Sequence, residues 1–535
     1  MLKWFKKLHR HFISSKLKQK LEHKTSEKTP NPLSSNLQEN LTKIKEVFSN
    51  ASDIVFRQFE IGSHTRIKAF IVYVDGLVNE EFVQMNLMKP LMIDMHISEV
   101  DDELNQKNTL NIIHQRILTL TEVSEVNDFQ EVVEHVLSGD TALFLEGFAT
   151  ALIVNLRGWE TRNVTPPDTE VVVRGPREGF TETLRTSTSL LRRKIKNPNL
   201  KFEKMKIGKQ TQTDVVIAYI KGIADEKIVE EVKRRLSKID ADAILESGYI
   251  EQYIEDSPLS FLPTVGNSEK PDIVAAKMLE GRVAILTDGT PFVLTVPYLF
   301  IEAFQTSEDY YSRPFYASIV RLLRFTAYFV SVFAPALYVA LTTYHQEMLP
   351  PTMLISIAAA REGTPFPAFV EAMVMGIIYE ILKEAGIRLP RPVGQAVSIV
   401  GALVIGEAAV SASLIGAPMV IVVSLTAIAS YVVASINDTV SIMRLTYVLL
   451  AAFLGLFGIM IGAAFFLTHM VSLRSFGLPY LAPIAPIVSE DLKDVFLRPH
   501  LWKMHKRPKL FTQNDLVRQE PDLMPNPMKN NTNNK

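Results

Sequence analysis

Acidic side chains interrupt apolar stretches of this chain, and they are the residues with the clearest chemical potential. Glu407 is the one charged residue between positions 392 and 437, and Glu371, Glu380 and Asp438 are further candidates. A carboxylate at membrane depth usually faces a protein interior or a water-filled path. One per subunit in a symmetric oligomer makes an acidic ring that attracts cations. A carboxyl at the membrane boundary, or a protonated one bonded to a neighbouring helix, is the alternative.

Other chemistries are poorly represented. The chain has no cysteine, which excludes disulfides, thiolate zinc sites, thiol nucleophiles and iron–sulfur clusters. The 11 histidines include no H-E-x-x-H, no serine stands in G-x-S-x-G, and no glycine-rich phosphate loop follows a predicted strand. A net charge of −1 argues against nucleic-acid binding. We therefore expect no enzyme, no cofactor and no metal site.

The elements that position these carboxylates are predicted membrane helices. Only 12 of the 143 residues from 325 to 467 are charged, against 103 of the other 392. A helix needs about 20 apolar residues to cross a hydrocarbon core of about 30 Å. The sequence predicts spans at 325–344, 393–413, 417–435 and 445–467, and a less regular fifth at 366–382.

The fifth segment and the tail leave the topology open. Glu371 and Glu380 lie nine positions apart, which puts them on opposite faces of a helix, so segment 366–382 either spans or lies in the interface. Basic residues favour the cytoplasmic side. Arg321 and Arg324 precede the first span, yet five spans would place the basic tail, including Arg474, on the opposite side.

Two glycine spacings are typical of close helix contacts in membranes. Gly458 and Gly462 form G-x-x-x-G, and Ala402 to Gly406, preceded by Gly401, is small-x-x-x-small. Such spacings let helix backbones approach closely in lipid.

The region before the spans contains an internal repeat. Tyr73–Val83 (YVDGLVNEEFV) matches 219–229 (YIKGIADEKIV), and 139–147 (GDTALFLEG) matches 281–289 (GRVAILTDG). Each first stretch predicts strand, turn and helix, and each second stretch predicts a hairpin. Two pairs in the same order at nearly equal offsets favour a duplicated module, and chance similarity of short βα units is the alternative.

These patterns predict an N-terminal soluble α/β region of two similar modules, followed by an α-helical polytopic membrane domain of about five spans (range four to six). The predicted parts are a basic, mostly disordered arm (1–50), a first module (51–165), a charged connector (166–210), a second module (211–312), a transmembrane domain (313–473) and a basic, partly disordered tail (474–535). The arm has no cleavable signal. It either lies on anionic lipid or is solvated.

The connector is dense in charges of both signs. A solvated connector is the simplest interpretation, and a surface that docks another subunit is the alternative. The candidate docking residues are Arg174, Arg177, Glu178, Glu182, Arg192 and Arg193.

Four stretches carry a family resemblance: RGPREGFTETLRT at 174–186, LEGRVAILTDGTPFVLTVP at 279–297, REGTPFPAFVEA at 361–372 and VGQAVSIVGALVIGEAAV at 393–410. In them the chain resembles the A subunit of GerA-type spore germination receptors, from about residue 50 to 509. In this family position 407 is more often Gln and position 376 more often Glu, where this chain has Glu407 and Gly376. Ser187 stands where Asn is expected.

The resemblance implies a self-associating receptor subunit in the inner membrane of a bacterial endospore, with its N-terminal soluble region on the cytoplasmic (core) side. The expected partners are a transporter-like B subunit, a lipoprotein C subunit and membrane lipid. Small nutrients, bound mainly by the B subunit, trigger release of monovalent cations.

Three hypotheses remain open. In the leading one the chain contributes a nutrient-gated cation path. In the second it is a scaffold that docks the B and C subunits without conducting. The third, a secondary transporter, lacks a detectable inverted repeat of broken helices.

Overall fold

The computed structural model describes residues 31–62, 66–94, 109–113, 123–159, 170, 172–388, 404, 406–512, 515–520 and 523–525. The chain divides into two compact units. The soluble unit comprises Met1–Glu255, Val265–Pro297 and His500–Lys535, and the helical unit comprises Asp256–Thr264 and Tyr298–Pro499.

The first module of the soluble unit is one antiparallel sheet with helices on its faces. Its strands lie in the order β1-β2-β4-β5-β3. Its elements in chain order are α1 (Leu37–Val47), β1 (Ile54–Ile61), β2 (Ile67–Val74), α2 (Glu80–Val83), α3 (Thr109–Ile112), β3 (Val123–Val126), α4 (Phe129–Leu137), β4 (Thr141–Leu145) and β5 (Ala151–Val154), with π-helical turns at Gln84–Met88 and Pro90–Asp94.

Strand β2 shows why this module has two apolar layers. Its sequence, IKAFIVYV, is rich in the β-branched and aromatic residues that favour strands. Successive side chains point to opposite faces of a sheet. Phe70 and Val72 therefore pack with Ile44 of α1 on one face, while Ile71 packs with Leu87 on the other.

The second module repeats this topology. Its strand order, β6-β7-β9-β10-β8, reproduces that of the first module, and its described strand pairs are again antiparallel. Its elements are α5 (Leu184–Lys194), β6 (Leu200–Ile207), β7 (Thr213–Ile220), α6 (Glu226–Leu236), α7 (Ser247–Ile254), β8 (Gly266–Ser268), α8 (Pro271–Leu279), β9 (Val283–Thr287) and β10 (Val293–Val296). The predicted α/β fold of two similar modules is confirmed.

The repeated glycines occupy equivalent turns. Gly76 and Gly222 follow the second strand of each module with φ of 81° and 85°, and Gly139 and Gly281 precede the fourth strand with φ of 97° and 107°. Residues with a Cβ rarely adopt these left-handed conformations. The matched glycines therefore reflect matched backbone turns.

Both module boundaries lie earlier than the sequence predicted. Helix α1 falls within the predicted arm, yet Leu41 and Ile44 are buried in the first core. Helix α5 and strand β6 fall within the predicted connector, yet Leu191 and Phe202 belong to the second core. Amphipathic periodicity in these short, polar helices was overlooked. Residues 1–30 lie outside the described residues.

One buried ion pair joins the two modules. Arg192 of α5 is 0 % exposed and donates from Nε and Nη2 to the two carboxylate oxygens of Asp53, each at 2.8 Å. Its Nη1 donates to the carbonyl oxygens of Asn197 and Leu200, each at 3.2 Å. Nearby, burial together with the charges of neighbouring basic residues lowers the pKa of Lys201 to about 8.

The helical unit contains α9 (Glu308–Tyr311), α10 (Pro314–Thr343), α11 (Pro351–Arg361), α12 (Ala368–Arg388), α13 (Gly406–Ser411), α14 (Ala417–Val432) and α15 (Asn437–Ser472), followed by a short hairpin of β11 (Arg474–Ser475) and β12 (Leu478–Pro479). Among the described residues, α10 and α15 are long and apolar enough to cross a membrane, by length and composition.

Helix α15 folds back on itself at Gly455. This residue has φ 59° and ψ −141°, which breaks the helix into a first arm (437–454) and a second arm (456–472). A Cβ on Gly462 would lie 2.7 Å from Leu450 Cδ1 and 2.9 Å from a ring carbon of Tyr447, and one on Gly458 would meet the Leu450 carbonyl. The predicted glycine pair therefore lies where the two arms touch.

The first arm runs parallel to α10. Met443 Sδ accepts from the Tyr328 hydroxyl at 3.5 Å, and the rings of Phe333 and Tyr447 lie 4.6 Å apart. At the far end of α10 the Tyr344 hydroxyl donates to the Ala452 carbonyl at 2.6 Å. The fold at Gly455 therefore lies beside the carboxyl end of α10.

Both free ends of the α15 hairpin meet segment Asp256–Thr264. The Thr439 hydroxyl donates to the Phe261 carbonyl at 2.6 Å, and the Phe261 ring lies 5.9 Å from that of Phe466. His469 Nε2 lies 3.0 Å from the Ser260 hydroxyl. The chain thus enters and leaves this hairpin at the same end.

The predicted spans need two corrections. Span 325–344 lies within α10, but this helix already begins at Pro314, so Arg321 and Arg324 are helical and not loop residues. Segment 445–467 is not one straight helix, because it contains the fold at Gly455. Segments 366–382 and 417–435 correspond to α12 and α14, whereas most of 393–413 lies outside the described residues.

Part of the tail returns to the soluble unit. Arg507 Nε donates to the Leu279 carbonyl at 2.8 Å, and the Arg282 guanidinium lies 4.2 Å from the Phe511 ring centroid. Described residues of the tail therefore pack onto the second module, and the predicted partial disorder of the tail stays a prediction.

Candidate functional site

Glu371 of α12 is fully buried and paired. Its Oε2 accepts from the Gly416 backbone N–H at 3.1 Å, and its Oε1 lies 3.3 Å from the Thr364 hydroxyl and 3.6 Å from Arg361 Nε. A buried carboxylate with these partners holds the start of α14 against α12. In the single chain its carboxylate has no free face for an ion.

Glu380 lies in a second ion-pair cluster. It accepts from the Ser441 hydroxyl at 2.7 Å and pairs with Lys383 at 2.7 Å and with Arg444 of the first arm. The Arg444 guanidinium also stacks 5.1 Å from the Tyr379 ring centroid. This cluster fastens α12 to the first arm of α15.

Asp438 and Glu407 are exposed. Asp438 stands in the first turn of α15, where a negative charge interacts favourably with the helix dipole. Glu407 lies in α13, three positions after the exposed Val404. Of the four predicted carboxylates, Asp438 and Glu407 are thus the two that are exposed in the single chain.

Of the two candidate packing glycines in the 401–406 stretch, the structure describes one. Gly406 is buried, and a Cβ there would lie 3.6 Å from Val420 Cγ1, an ordinary van der Waals contact. Gly401 lies outside the described residues.

Sequence reasoning missed a buried charge cluster at the start of α10. Arg321 donates to Asp309 Oδ2 at 3.1 and 3.2 Å and to Asp494 Oδ1 at 2.8 Å. Arg324 donates to both Asp309 oxygens at 2.9 Å. We name these four residues the α10 charge cluster. Two arginines one turn apart just before a predicted span are a usable signal for such a cluster.

The candidate docking residues divide into two groups. Arg174, Arg177 and Glu182 are exposed. Glu178 pairs with Arg193 at 3.4 Å and with Lys194 at 3.2 Å.

Arg193 also lies 5.2 Å from the Trp159 ring centroid, so its charge is shared between two contacts within the soluble unit. Arg192 must be removed from the docking set, because it is buried against Asp53 and presents no surface. Among the described residues, no group of three or more His, Asp or Glu is placed to hold a metal ion.

Comparisons with known proteins identify the family of the chain. The family model described as Bacillus/Clostridium GerA spore germination protein matches residues 42–510. Spore germination protein KA of Bacillus subtilis (strain 168) is 45 % identical over 497 residues, which cover 92 % of this chain and 90 % of that protein. Spore germination protein GerLA of Bacillus cereus is 38 % identical over 486 residues, covering 90 % of this chain and 97 % of that protein.

One solved structure is also similar in sequence. It is the crystal structure of the N-terminal domain of the A subunit of the Bacillus megaterium spore germinant receptor GerK3, which is 41 % identical, covers 51 % of this chain and 99 % of that chain, and has a TM-score of 0.41. The family match and the two long alignments confirm the resemblance found in the four sequence stretches. The chain belongs to the Bacillus/Clostridium GerA spore germination protein family.

Proposed function

We propose that this chain is the A subunit of a nutrient-sensing spore germination receptor. In this proposal it oligomerises in the spore inner membrane and contributes a nutrient-gated path for monovalent cations. A transporter-like B subunit and a lipoprotein C subunit are its partners, and the B subunit binds most of the nutrient. The similarity to named spore germination proteins over about nine-tenths of the chain supports the receptor assignment.

The exposed position of Glu407 is the observation that carries the cation path. Ionised carboxylates avoid lipid and face protein or water within a membrane. Glu371 and Glu380 meet this requirement through partners within the chain, whereas Glu407 is exposed and is the one charged residue between positions 392 and 437. Copies of the chain that surround a water-filled path would place several Glu407 carboxylates around it, and such a ring favours cations.

The packing of the tail supports an even number of membrane passages. Because residues such as Arg507 contact the second module, the tail and the soluble modules share one side of the membrane. The two arms of α15 have lengths of about 27 and 25 Å at a rise of about 1.5 Å per residue. If each arm crosses, five predicted spans become six, and the basic residues at both ends lie on one side. That side is the cytoplasmic one by the charge rule.

Introduced cysteines test this topology cleanly, because the chain has none of its own. Lys227→Cys in the second module, Glu520→Cys in the tail and Met353→Cys in α11 change exposed residues. With an impermeant thiol reagent on sealed vesicles, we expect positions 227 and 520 to react from one side and position 353 from the other. Labelling of 227 and 520 from opposite sides would refute an even number of passages.

A non-conducting scaffold is the second candidate. The exposed charges of Arg174, Arg177 and Glu182 favour a docking role for the connector, which both candidates share. Potassium release from nutrient-treated spores tests the receptor assignment, because deletion of this chain should abolish release that its own nutrient triggers. The assignment would be refuted if the deletion strain released potassium normally with each nutrient that triggers release from wild-type spores.

A further inference from the structure

The α10 charge cluster carries more positive than negative charge once its neighbour Arg498 is included. Arg321 and Arg324 share the carboxylates of Asp309 and Asp494, and Tyr310 also contacts Asp494. Arg498 is the third guanidinium of this buried group. Three arginines against two aspartates leave one positive charge without a counter-charge.

Arg498 is the residue without that counter-charge. It is 5 % exposed, and no described carboxylate forms an ion pair with it. Its Nη2 donates to the Tyr310 carbonyl at 3.2 Å, whereas its buried Nε has no acceptor. Every acidic residue of the helical unit falls within the part of the chain that the structure describes. The unit itself therefore provides no further carboxylate.

A buried charge in this state is unfavourable. Removing an ion from water is repaid only by a close partner and by hydrogen bonds to its remaining donors. Consistently, burial lowers the pKa of Arg498 despite the nearby aspartates. An additional anionic group at the small exposed edge of this side chain would remove the deficit.

Apolar side chains border that edge. Arg498 N donates to the Ser318 hydroxyl at 3.1 Å, which places the residue beside the first turns of α10. Phe315 and Ile319 of those turns are 78 % and 64 % exposed, and Leu497, next to Arg498, is also exposed. A cation flanked by exposed apolar groups at the end of an apolar helix matches the two parts of a phospholipid, an anionic phosphodiester and an acyl chain.

We propose that Arg498 binds the phosphodiester of a membrane phospholipid headgroup, with the acyl chain lying along Phe315 and Ile319. The phosphodiester oxygens accept from the terminal guanidinium nitrogens, since Nε itself is shielded from solvent, and charge-assisted bonds of this kind are the strong ones. The inference depends on the proposed membrane location and concerns a site distinct from the Glu407 path.

Thermal unfolding of the full chain in detergent tests the site. The additives are dioctanoyl phosphatidylglycerol, dioctanoylglycerol, which lacks the phosphate, and inorganic phosphate. We expect the phosphatidylglycerol to raise the unfolding temperature and the other two to leave it unchanged. Arg498→Met should raise the half-saturating lipid concentration by about tenfold or more, which is the loss of affinity expected when a charge-assisted hydrogen bond is removed. Arg313→Met, which changes an exposed arginine just before α10, should keep the wild-type response.

An equal shift with dioctanoylglycerol would overturn the phosphodiester contact, and an equal shift with inorganic phosphate would overturn the lipid assignment. If Arg498→Met does not fold, the wild-type comparison of the three additives decides. The assay has no germination readout. A wild-type chain that shows no response to phosphatidylglycerol, while spores that carry it still release potassium, would therefore refute this site and leave the proposed function standing.

Discussion

Replacing Asp53 by Asn should destabilise the soluble unit more than any single surface change. The substitution keeps the shape of the side chain but removes its charge, so the buried Arg192 guanidinium loses its one ionic partner. Arg192 is 0 % exposed, and water cannot replace the lost bonds. Breaking a buried pair by changing one partner typically costs about 3–5 kcal/mol.

The expected change is large enough for thermal unfolding. For a unit of more than about 300 residues, about 1 kcal/mol corresponds to about 1.5 °C, so Asp53→Asn should lower the unfolding temperature by about 4–8 °C. Asp75→Asn is the matched control, because the Asp75–Arg185 pair is 36 % and 45 % exposed and should contribute only about 0–1 kcal/mol.

A double substitution separates the charge from the packing. Asp53→Leu together with Arg192→Met replaces the pair by apolar groups, and such replacements of a buried pair are often neutral or stabilising. We therefore expect this variant to recover most of the loss. If Asp53→Asn unfolds within about 2 °C of the wild type while the Arg192 side chain remains buried, the pair does not hold the modules together.

Three further predictions concern other parts of the chain. Gly455→Ala should destabilise the folded chain by about 1–3 kcal/mol, because alanine is strained at φ 59° and ψ −141°. The amount of folded protein in the membrane should therefore fall, and an unchanged amount would contradict the fold-back. Burial, reinforced by Glu255 and Glu246, raises the pKa of Glu251 to about 7. Because the folded-state pKa is raised, the contribution of this residue to stability should be full below about pH 4.3 and fall as the pH rises toward 7. Glu251→Gln should therefore reduce the pH dependence of the free energy of unfolding, measured by urea unfolding between pH 5 and 8. An unchanged pH dependence in this variant would refute the shift. Phe511→Ala removes the contact between the Phe511 ring and the Arg282 guanidinium, so a protease should cleave the tail faster than in the wild type. Equal cleavage rates in the two proteins would show that this contact does not hold the tail.

The duplicated modules could be predicted because their signals are local. Gly76 and Gly222, like Gly139 and Gly281, need left-handed turns, and each pair recurs at nearly the same offset with similar apolar strands. The boundaries could not be placed as well. Helix α1 is short and polar, and Leu41 and Ile44 become core residues only when the sheet is present.

The fold at Gly455 was beyond the sequence pattern. Glycine is common in membrane helices, and an uncharged run has the same composition whether it continues straight or turns back. The backbone conformation of Gly455 and the proximity of Gly462 to Tyr447 and Leu450 distinguish the two cases. The α10 charge cluster was missed for a similar reason, because Asp494 lies far from Arg321 along the chain.

The candidate carboxylates show how far sequence reasoning reached. Residue type and apolar context predict four acidic candidates, but they do not separate Glu371 and Glu380, which pair within the chain, from Glu407, which is exposed and has no ion pair with another described residue. That separation depends on Arg361 and Arg444, which long-range packing brings to them.

Cation flux through liposomes that contain the purified receptor, with Glu407→Gln compared to wild type, tests the central claim most directly. Glu384→Gln is the control, since Glu384 is an exposed carboxylate paired with Arg388 at the end of α12. A conducting ring predicts that Glu407→Gln weakens the preference for potassium over chloride while Glu384→Gln preserves it. Unchanged selectivity in both variants at matched protein levels would contradict the ring and favour the scaffold.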